Sequence, residues 1–491
     1  MKTTTTLFIF IYILCFYITR SDARQGDALA SLRLMSKSNF NISLIEEFEI
    51  NIDEVRVHPQ TGLKEKDLIE KLPGQPHVRF TQYGGYVTID EKAGRALYYY
   101  FTEAERSKKL KPLLLWFNGG PGCSSLGYGA MEELGPFRVH SNGKTLYENP
   151  YAWNKVANVL FLESPAGVGF SYSNTTSDYG KGGDKMTAAD NYLFLVNWLE
   201  RFPEYKDRDF YISGESYAGH FVPELAHSIL QHNKRAKKSI INLKGIIIGN
   251  ACINEATDNL GVYDYLWTHA IISDETIQGF KKYCKLPFSE GLPQQCDDAL
   301  HEISVATDEP FDGYNIYAPM CLNDNLTDTP KETSIVNFDP CSYNYVETYL
   351  NSPDVQKALH ANVTKLNYPW GACNNLAAWA TRPSTMLPIL RELMSNGLRV
   401  WVYSGDVDSI VPVTSTRYSL NKLKLSTKTP WYPWSIHKEL GGYAIVYKGD
   451  LTFITVRGAG HEVPSYQPQR ALALIKHFLD GTPLPQARPQ E

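Results

Sequence analysis

The chain has 491 residues, 43% of them hydrophobic and 12% aromatic, and a formal net charge of −5. This length allows a large buried core, within one enlarged α/β domain or more than one domain. The charges form no long run of one sign and no basic stripe with interleaved aromatic residues, which argues against nucleic acid as a partner.

The N-terminus has the pattern of a targeting segment. Lys2 and an apolar stretch from Leu7 to Ile18 precede the small-x-small sequence Ser21-Asp22-Ala23. This pattern predicts a secretory signal peptide over residues 1–23, and the apolar stretch is too short to favour a membrane span. We therefore expect residues 24–491 to enter the secretory pathway without membrane association, with an extracellular or vacuolar destination.

Seven cysteines remain after the predicted cleavage. An oxidising compartment favours disulfides, and an odd number leaves at least one thiol free. Cys284/Cys296 and Cys321/Cys341 are close enough in sequence to form local bridges. Because Cys-x-x-Cys and His-rich patterns are absent, neither a metal site nor a cofactor is expected. Four sequons are candidate glycosylation sites at the surface: Asn41, Asn174, Asn325 and Asn362.

The first predicted elements lead to a glycine-rich turn. Segments 85–89 and 95–101 are rich in β-forming residues and flank the turn-like sequence 90–94, which predicts an antiparallel hairpin. The fully apolar strand 113–117 suggests parallel pairing with both faces buried. It runs into the turn 118–122, whose glycines let the backbone approach a ligand and present N–H groups. We expect an oxyanion donor there; the alternative is a plain glycine-rich turn.

Strands and helices then alternate, which predicts a doubly wound α/β sheet. Between about 251 and 375 the chain becomes rich in cysteine, proline and asparagine, which indicates a disulfide-stapled cap inserted into the domain. Buried strands are predicted at 159–162, 209–213, 245–249, 398–403 and 451–456, with helical patterns at 193–199, 221–230 and 260–272.

The sequence Gly214-Glu215-Ser216-Tyr217-Ala218-Gly219 lies between a predicted strand and a predicted helix. Strand, Gly-x-Ser-x-Gly and helix together predict a nucleophile elbow, in which small flanking residues prevent clashes and Ser216 projects from a tight turn. The alternative is an idle serine in a glycine-rich turn.

Ser216, Asp406 and His461 each follow a predicted strand, in the chain order expected of α/β-hydrolases. The carboxyl ends of such strands are where ligands bind. His461 would take the serine proton, Asp406 would orient the imidazole, and the Tyr217 N–H would be one oxyanion donor. Asp408 competes with Asp406 for its role, and an aspartate after a strand can also serve only as a cap.

Glu215 precedes the nucleophile and is expected to point into the cleft. A carboxyl group there is useful if the substrate offers its own carboxylate and the two share a proton. Glu132 and Glu133 follow the glycine-rich turn and could supply a second carboxyl group, while one of them is expected to be a solvated glutamate.

Taken together, these motifs resemble the plant serine carboxypeptidases of the S10 family, over nearly the whole predicted mature chain. The resemblance implies an α/β-hydrolase fold with a cap insertion. It also implies that the N–H groups of Gly120 and Tyr217 form the oxyanion hole. The motifs that carry it are Asn118–Ser125, Glu163–Tyr172, Gly214–Gly219, Tyr403–Asp406 and Gly458–Pro464.

The resemblance also assigns substrate contacts and disulfides. It implies that Asn118, the Gly119 N–H, Glu215 and Glu132 hold the C-terminal carboxylate of a peptide; spacing from Asn118 favours Glu132 over Glu133. Glu462 matches a position that favours basic residues on the C-terminal side of the cut. The implied disulfides are Cys123–Cys373, Cys284–Cys296 and Cys321–Cys341, which leave Cys252 free.

We therefore expect a serine carboxypeptidase that acts on peptides with a free C-terminal carboxylate through a Ser216 acyl-enzyme. An acidic optimum is expected because the shared proton is lost as pH rises. One alternative is an acyltransferase that uses glucose esters on the same triad, although such relatives tend to carry Asp where this chain has Glu215. Another is a non-catalytic binding or protective protein. Homodimer formation is left open.

Overall fold

The structure is a computed structural model that describes residues 25, 29, 55–286, 288, 291–308, 311–323, 325–332, 338–366, 368–374, 376 and 379–486. The predicted signal peptide and the Asn41 sequon lie outside the described residues. Asn174 and Asn325 are exposed, whereas Asn362 is half-buried and its Nδ2 donates to Gln356 Oε1 at 2.8 Å.

The described strands, in chain order, are β1 (Leu68–Ile69), β2 (Gln82–Asp90), β3 (Arg95–Thr102), β4 (Leu113–Phe117), β5 (Phe137–Val139), β6 (Leu146–Glu148), β7 (Asn158–Leu162), β8 (Tyr172–Ser173), β9 (Gly182–Gly183), β10 (Phe210–Glu215), β11 (Leu243–Gly249), β12 (Trp379–Thr381), β13 (Arg399–Gly405), β14 (Thr427–Ile436), β15 (Glu439–Tyr447) and β16 (Leu451–Val456). The α-helices are α1 (Leu63–Lys66), α2 (Asp184–Arg201), α3 (Ala218–Ala236), α4 (Glu255–Thr268), α5 (Asp274–Tyr283), α6 (Gln294–Thr307), α7 (Ser342–Leu350), α8 (Pro353–Ala358), α9 (Leu387–Ser395), α10 (Val413–Lys422), α11 (Val463–Tyr466) and α12 (Pro468–Asp480). A π-helix covers Ser125–Glu133, and 3₁₀ turns cover Trp153–Lys155, Thr176–Gly180 and Pro203–Tyr205.

One mixed sheet carries the fold, with the strand order β1-β2-β3-β7-β4-β10-β11-β13-β16-β15-β14. The central strands from β7 to β16 run parallel, and the strands at both ends are antiparallel. Every residue of β4 and β16 is buried, as expected for parallel strands covered on both faces.

The sheet separates two apolar cores. Alternate residues of a strand point to opposite faces, so Leu115 joins the core beside α2 and α3, whereas Trp116 joins the core on the other face. Phe221 of α3 packs into the first core, and Phe478 of α12 packs into the second. This arrangement of helices on both faces matches the predicted α/β class.

Most predicted elements are present in the structure. Segments 85–89 and 95–101 pair as an antiparallel hairpin, and the strands predicted at 113–117 and 451–456 coincide with β4 and β16. The helix predicted to reach 272 ends earlier, at Thr268 of α4. The β14–β15 hairpin was not predicted, because Pro430 and Pro433 interrupt its pattern; the edge position of β14 tolerates them.

The long connection between β11 and β13 carries the disulfides. Within it, α4, α5 and α6 share a small apolar cluster around Phe280 and Ile303, separate from the two main cores. Cys284–Cys296, Cys321–Cys341 and Cys123–Cys373 are bridged as the resemblance implies, and Cys252 is free and buried. The third bridge ties this connection to the turn after β4. Among the described residues, no helix is long and apolar enough to cross a membrane.

Candidate active site

Ser216 lies in a strained turn between β10 and α3. Its φ is +62°, a backbone conformation that residues with a side chain rarely adopt. The turn leaves no room beside it, since a Cβ on Gly214 would lie 2.7 Å from the Ala218 Cβ, and one on Gly219 would lie 2.3 Å from the Cys252 carbonyl oxygen. Ser216 Oγ is buried without a hydrogen-bond partner among the described residues. This is the geometry of the predicted nucleophile elbow.

His461 is held by Asp408, not by Asp406. His461 Nδ1 lies 2.9 Å from Asp408 Oδ2, and both side chains are fully buried. Asp408 is itself fixed by Asn250, whose Nδ2 donates to Oδ2 at 2.7 Å. The free ring nitrogen, His461 Nε2, is buried without a partner among the described residues.

The prediction that Asp406 orients the imidazole is therefore wrong. Its Oδ1 accepts a hydrogen bond from the Gly458 N–H at 2.6 Å, so this carboxylate ties two loops together. β13 ends at Gly405, and three further residues are needed before the chain reaches the buried side of His461. Both aspartates follow the strand closely, and sequence spacing alone could not decide between them.

The glycine-rich turn after β4 lies directly against the elbow. A Cβ on Gly119 would lie 2.4 Å from the Tyr217 amide nitrogen and 2.8 Å from the Ser216 Cβ. Gly120 has φ +104°, which favours glycine. The turn therefore lies against Ser216 and the Tyr217 N–H at Gly119. The next residue is Gly120, whose N–H is predicted to form the oxyanion hole together with that of Tyr217.

The side chain of Tyr217 is anchored beneath the turn. Its hydroxyl donates to Asp184 Oδ1 at 2.9 Å, and Trp379 Nε1 donates to the same oxygen at 2.8 Å. Asp184 is also 2.9 Å from His220 Nδ1. This buried network holds the residue whose N–H faces the turn, and no sequence motif indicated it, because its members come from three separate elements, α2, α3 with its N-cap, and β12.

Two carboxyl groups meet beside Ser216. Asn118 Nδ2 donates to Glu133 Oε1 at 2.7 Å and to Glu215 Oε1 at 3.1 Å. The asparagine is oriented by Trp116 Nε1, which donates to its Oδ1 at 2.7 Å. The prediction that Glu132 joins this site is wrong, since the π-helix Ser125–Glu133 directs the neighbouring Glu133 to Asn118.

Burial favours the protonated form of the Glu133–Glu215 pair. Burial raises the pKa of Glu133 to about 8, and burial together with the charge of Glu133 raises the pKa of Glu215 well above its usual range. Asn118 Nδ2 donates to both carboxyl groups, and their burial favours a proton on one of them. The buried phenol of Tyr403 lies within electrostatic range of both carboxyl groups, and the sequence did not predict this proximity.

Glu132 instead belongs to a second acidic region. A small cavity is lined by Glu132, Glu462 and a ring of tyrosines that includes Tyr128 and Tyr314. Both glutamates are buried, and Ser465 Oγ donates to the Glu132 carbonyl oxygen at 2.8 Å. Tyr314 packs edge-on against His461, with ring centroids 5.1 Å apart, so the cavity adjoins the predicted base.

Gln25 occupies the carboxyl site from a distant part of the chain. Its Nε2 donates to Glu215 Oε1 at 3.0 Å, and the Gly119 N–H donates to its Oε1 at 3.0 Å. The sequence contained no signal for this contact, because the two partners lie far along the chain. Among the described residues, no cluster of His, Cys, Asp or Glu could hold a metal ion.

This sheet topology, with a serine in a strained turn after a central parallel strand, is that of an α/β-hydrolase fold. The serine carboxypeptidase family matches residues 73–481, and the chain belongs to that family. The chain is thus a hydrolase of the serine carboxypeptidase type, with peptides as its class of substrate.

Curated relatives and one solved structure agree with this assignment. Serine carboxypeptidase-like 40 of Arabidopsis thaliana is 60% identical over 430 residues, covering 87% of this chain and 85% of the relative. Serine carboxypeptidase 24 of the same plant is 52% identical over 439 residues, covering 86% and 94%. The crystal structure of Kex1Δp, a prohormone-processing carboxypeptidase from Saccharomyces cerevisiae, superimposes with a TM-score of 0.69 at 26% identity, covering 85% of this chain and 96% of that one.

Proposed function

We propose that the protein removes residues from the C-terminus of peptides through a Ser216 acyl-enzyme, with His461 and Asp408 as base and orienting carboxylate. The observation that carries the proposal is the pair of buried carboxyl groups, Glu133 and Glu215, to which Asn118 Nδ2 donates, with Glu215 directly before Ser216. A general esterase has no use for two buried carboxyl groups there, whereas an enzyme that recognises a carboxylate at the end of its substrate does.

The chemistry follows from the positions of the side chains. Asp408 accepts from His461 Nδ1, so the neutral imidazole keeps Nε2 free to take the Ser216 proton. The alkoxide attacks the scissile carbonyl, and the N–H groups of Gly120 and Tyr217 would stabilise the oxyanion. His461 then returns the proton to the leaving amine, and water hydrolyses the acyl-enzyme by the same route.

Carboxylate recognition would involve the groups that now hold Gln25. The Gly119 N–H is one donor, and the proton on the glutamate pair would supply a second, while Asn118 Nδ2 holds the two glutamates in place. A second carboxylate can bind beside Glu215 only while that proton is present. Because the pKa of Glu133 is raised to about 8 and that of Glu215 is also raised, binding is expected to weaken as pH increases, which favours an acidic optimum.

The acidic cavity beside His461 supports a preference for basic residues on the C-terminal side of the cut. Glu132 and Glu462 both line it and are buried, so a Lys or Arg side chain would find opposite charge in a poorly solvated place. The tyrosine rings around it offer contact to the aliphatic part of such a side chain.

The experiment compares a blocked dipeptide with its C-terminal amide at about pH 5 and pH 8. We expect rapid release of the last residue from the free acid at acidic pH and little reaction with the amide. Ser216→Ala should abolish turnover, and full activity of that variant would disprove the mechanism. Dipeptides ending in Lys and Leu test the basic preference, and product analysis with a glucose ester and an alcohol tests the transfer alternative.

A further inference from the structure

We propose that the side chain of Gln25 is an internal occupant of the carboxylate site, so that this side chain must leave before the carboxylate of a peptide can bind. The inference rests on the proposed function of that site. The site lies between Gly119 and Glu215, and its occupant is the carboxamide of Gln25 from the same chain.

The contacts of Gln25 reproduce what a terminal carboxyl group would need. Its side-chain oxygen takes the Gly119 N–H, and its side-chain nitrogen donates to Glu215 Oε1, each at 3.0 Å. Gln25 is fully buried, at 0% exposure. A buried polar side chain needs hydrogen-bond partners, and the Gly119 N–H and Glu215 Oε1 supply them for Gln25.

The chemistry of the amide explains the fit. A carboxamide has the shape of a protonated carboxyl group, with one acceptor and one donor where a carboxylic acid has a carbonyl and an O–H. The carboxylate of a substrate that shares a proton with the glutamate pair would present the same arrangement. Gln25 supplies its donor permanently, so it satisfies Glu215 without a shared proton and independently of pH.

A second described residue near Gln25, Leu29, is also buried. Leu29 is also helical and 3% exposed, and it belongs to the apolar core on the α2 and α3 side of the sheet. Both residues precede residue 73, where the family match begins, and both follow the predicted cleavage after Ala23.

An occupant of this kind lowers apparent affinity by the fraction of molecules in which the site is open. If the Gln25 side chain occupies the site about 90% of the time, removing this side chain lowers the apparent Kd of a competing peptide about tenfold. A glutamine with a purely structural role would instead change the melting temperature and leave peptide affinity unaltered.

The test measures binding of a fluorescent peptide with a free C-terminus to full-length secreted protein carrying Ser216→Ala, which binds without turnover. We compare this protein with Gln25→Ala and with Gln278→Ala, a control at an exposed glutamine of α5. The expected result is an apparent Kd about tenfold lower for Gln25→Ala and unchanged for Gln278→Ala. Gln25→Glu should retain the block at about pH 5, where its acid is protonated among the glutamates, and lose it at about pH 8.

Equal affinities in all variants would overturn the inference while leaving the carboxylate site intact. Absence of binding to every variant, including Gln25→Ala, would overturn the carboxylate site and this inference with it. N-terminal sequencing of the secreted protein should find Gln25 present; a mature chain that begins after it would also overturn the proposal.

Discussion

His461 Nδ1 contacts Asp408 Oδ2 at 2.9 Å, and both side chains are completely shielded from solvent. This contact sets the tautomer, because a proton on Nδ1 leaves Nε2 as the acceptor that a serine nucleophile requires. Asn250 and the backbone N–H of Ile410 satisfy the remaining positions of the carboxylate, so Asp408 has a fixed orientation.

Substitution of Asp408 separates the two candidate aspartates. Asp408→Asn should reduce kcat by about 10³–10⁴-fold, because an amide can stabilise the wrong tautomer. Asp406→Asn, the matched control, should reduce kcat less than about threefold, because an amide oxygen can still accept from Gly458 N. Steady-state kinetics on a blocked dipeptide would decide, and a larger loss for Asp406→Asn would contradict the assignment.

Gly119→Ala should damage catalysis without unfolding the protein. The added methyl would lie 2.4 Å from the Tyr217 nitrogen, so the turn must move away from the elbow. We expect kcat to fall about 10²-fold or more, since displaced oxyanion donors typically cost that much. Gly180→Ala is the control, because its new methyl would have no atom within 4 Å. Equal kcat values for the two variants would argue against close apposition.

The adjacent glutamates should differ in pH dependence. For the wild type, KM for a free-acid dipeptide should rise about tenfold per pH unit above the pKa of the pair, as the shared proton is lost. Glu133→Gln carries a permanent donor and should flatten this rise. Glu132→Gln should preserve it, because Asn118 bonds to Glu133. Profiles of KM between about pH 5 and 9 would test this, and identical profiles for both variants would exclude the pair as the origin.

A buried carboxyl group outside the site predicts the pH dependence of stability. Burial raises the pKa of Glu163 to about 8 in the folded protein. The folded state therefore binds more protons than the unfolded state between pH about 4.5 and 8, and stability falls across that range as pH rises. Glu163→Gln should reduce the fall, since the amide can still accept from Phe170 N and contact Ser124. Thermal unfolding at several pH values measures the slope, and an unchanged slope would contradict the prediction.

The disulfides should differ in their contribution. Cys123–Cys373 closes a sequence separation of 250 residues, and its removal as paired serines should cost about 5 kcal/mol in the chain-entropy account. Cys284–Cys296 closes 12 residues and should cost about 3 kcal/mol. Because Cys123 belongs to the turn beside the nucleophile, only the first removal should also lower kcat. Denaturant unfolding and kinetics on both double variants test the order, and equal losses would contradict it.

Local patterns in the sequence predicted most of the elements around the site. The apolar runs that became β4 and β16, and the small residues around Ser216, are dictated by burial and by turn sterics within a few residues. Predictions weakened where two neighbouring residues had similar chemistry. The sequence favoured Asp406 over Asp408 and Glu132 over Glu133. Both predictions are wrong because spacing does not encode the direction of the backbone after a strand or within a π-helix.

The sequence by itself determined that a serine follows a buried strand in a tight turn, that a glutamate precedes it, and that a histidine follows the last core strand. These are short-range consequences of residue size, polarity and periodicity. Only the tertiary structure decided which carboxylates meet the histidine and the asparagine, and that Gln25 lies against Glu215 from 190 residues away. Such contacts depend on how distant elements pack. A small difference in backbone direction decides which of two nearby acidic side chains reaches the site.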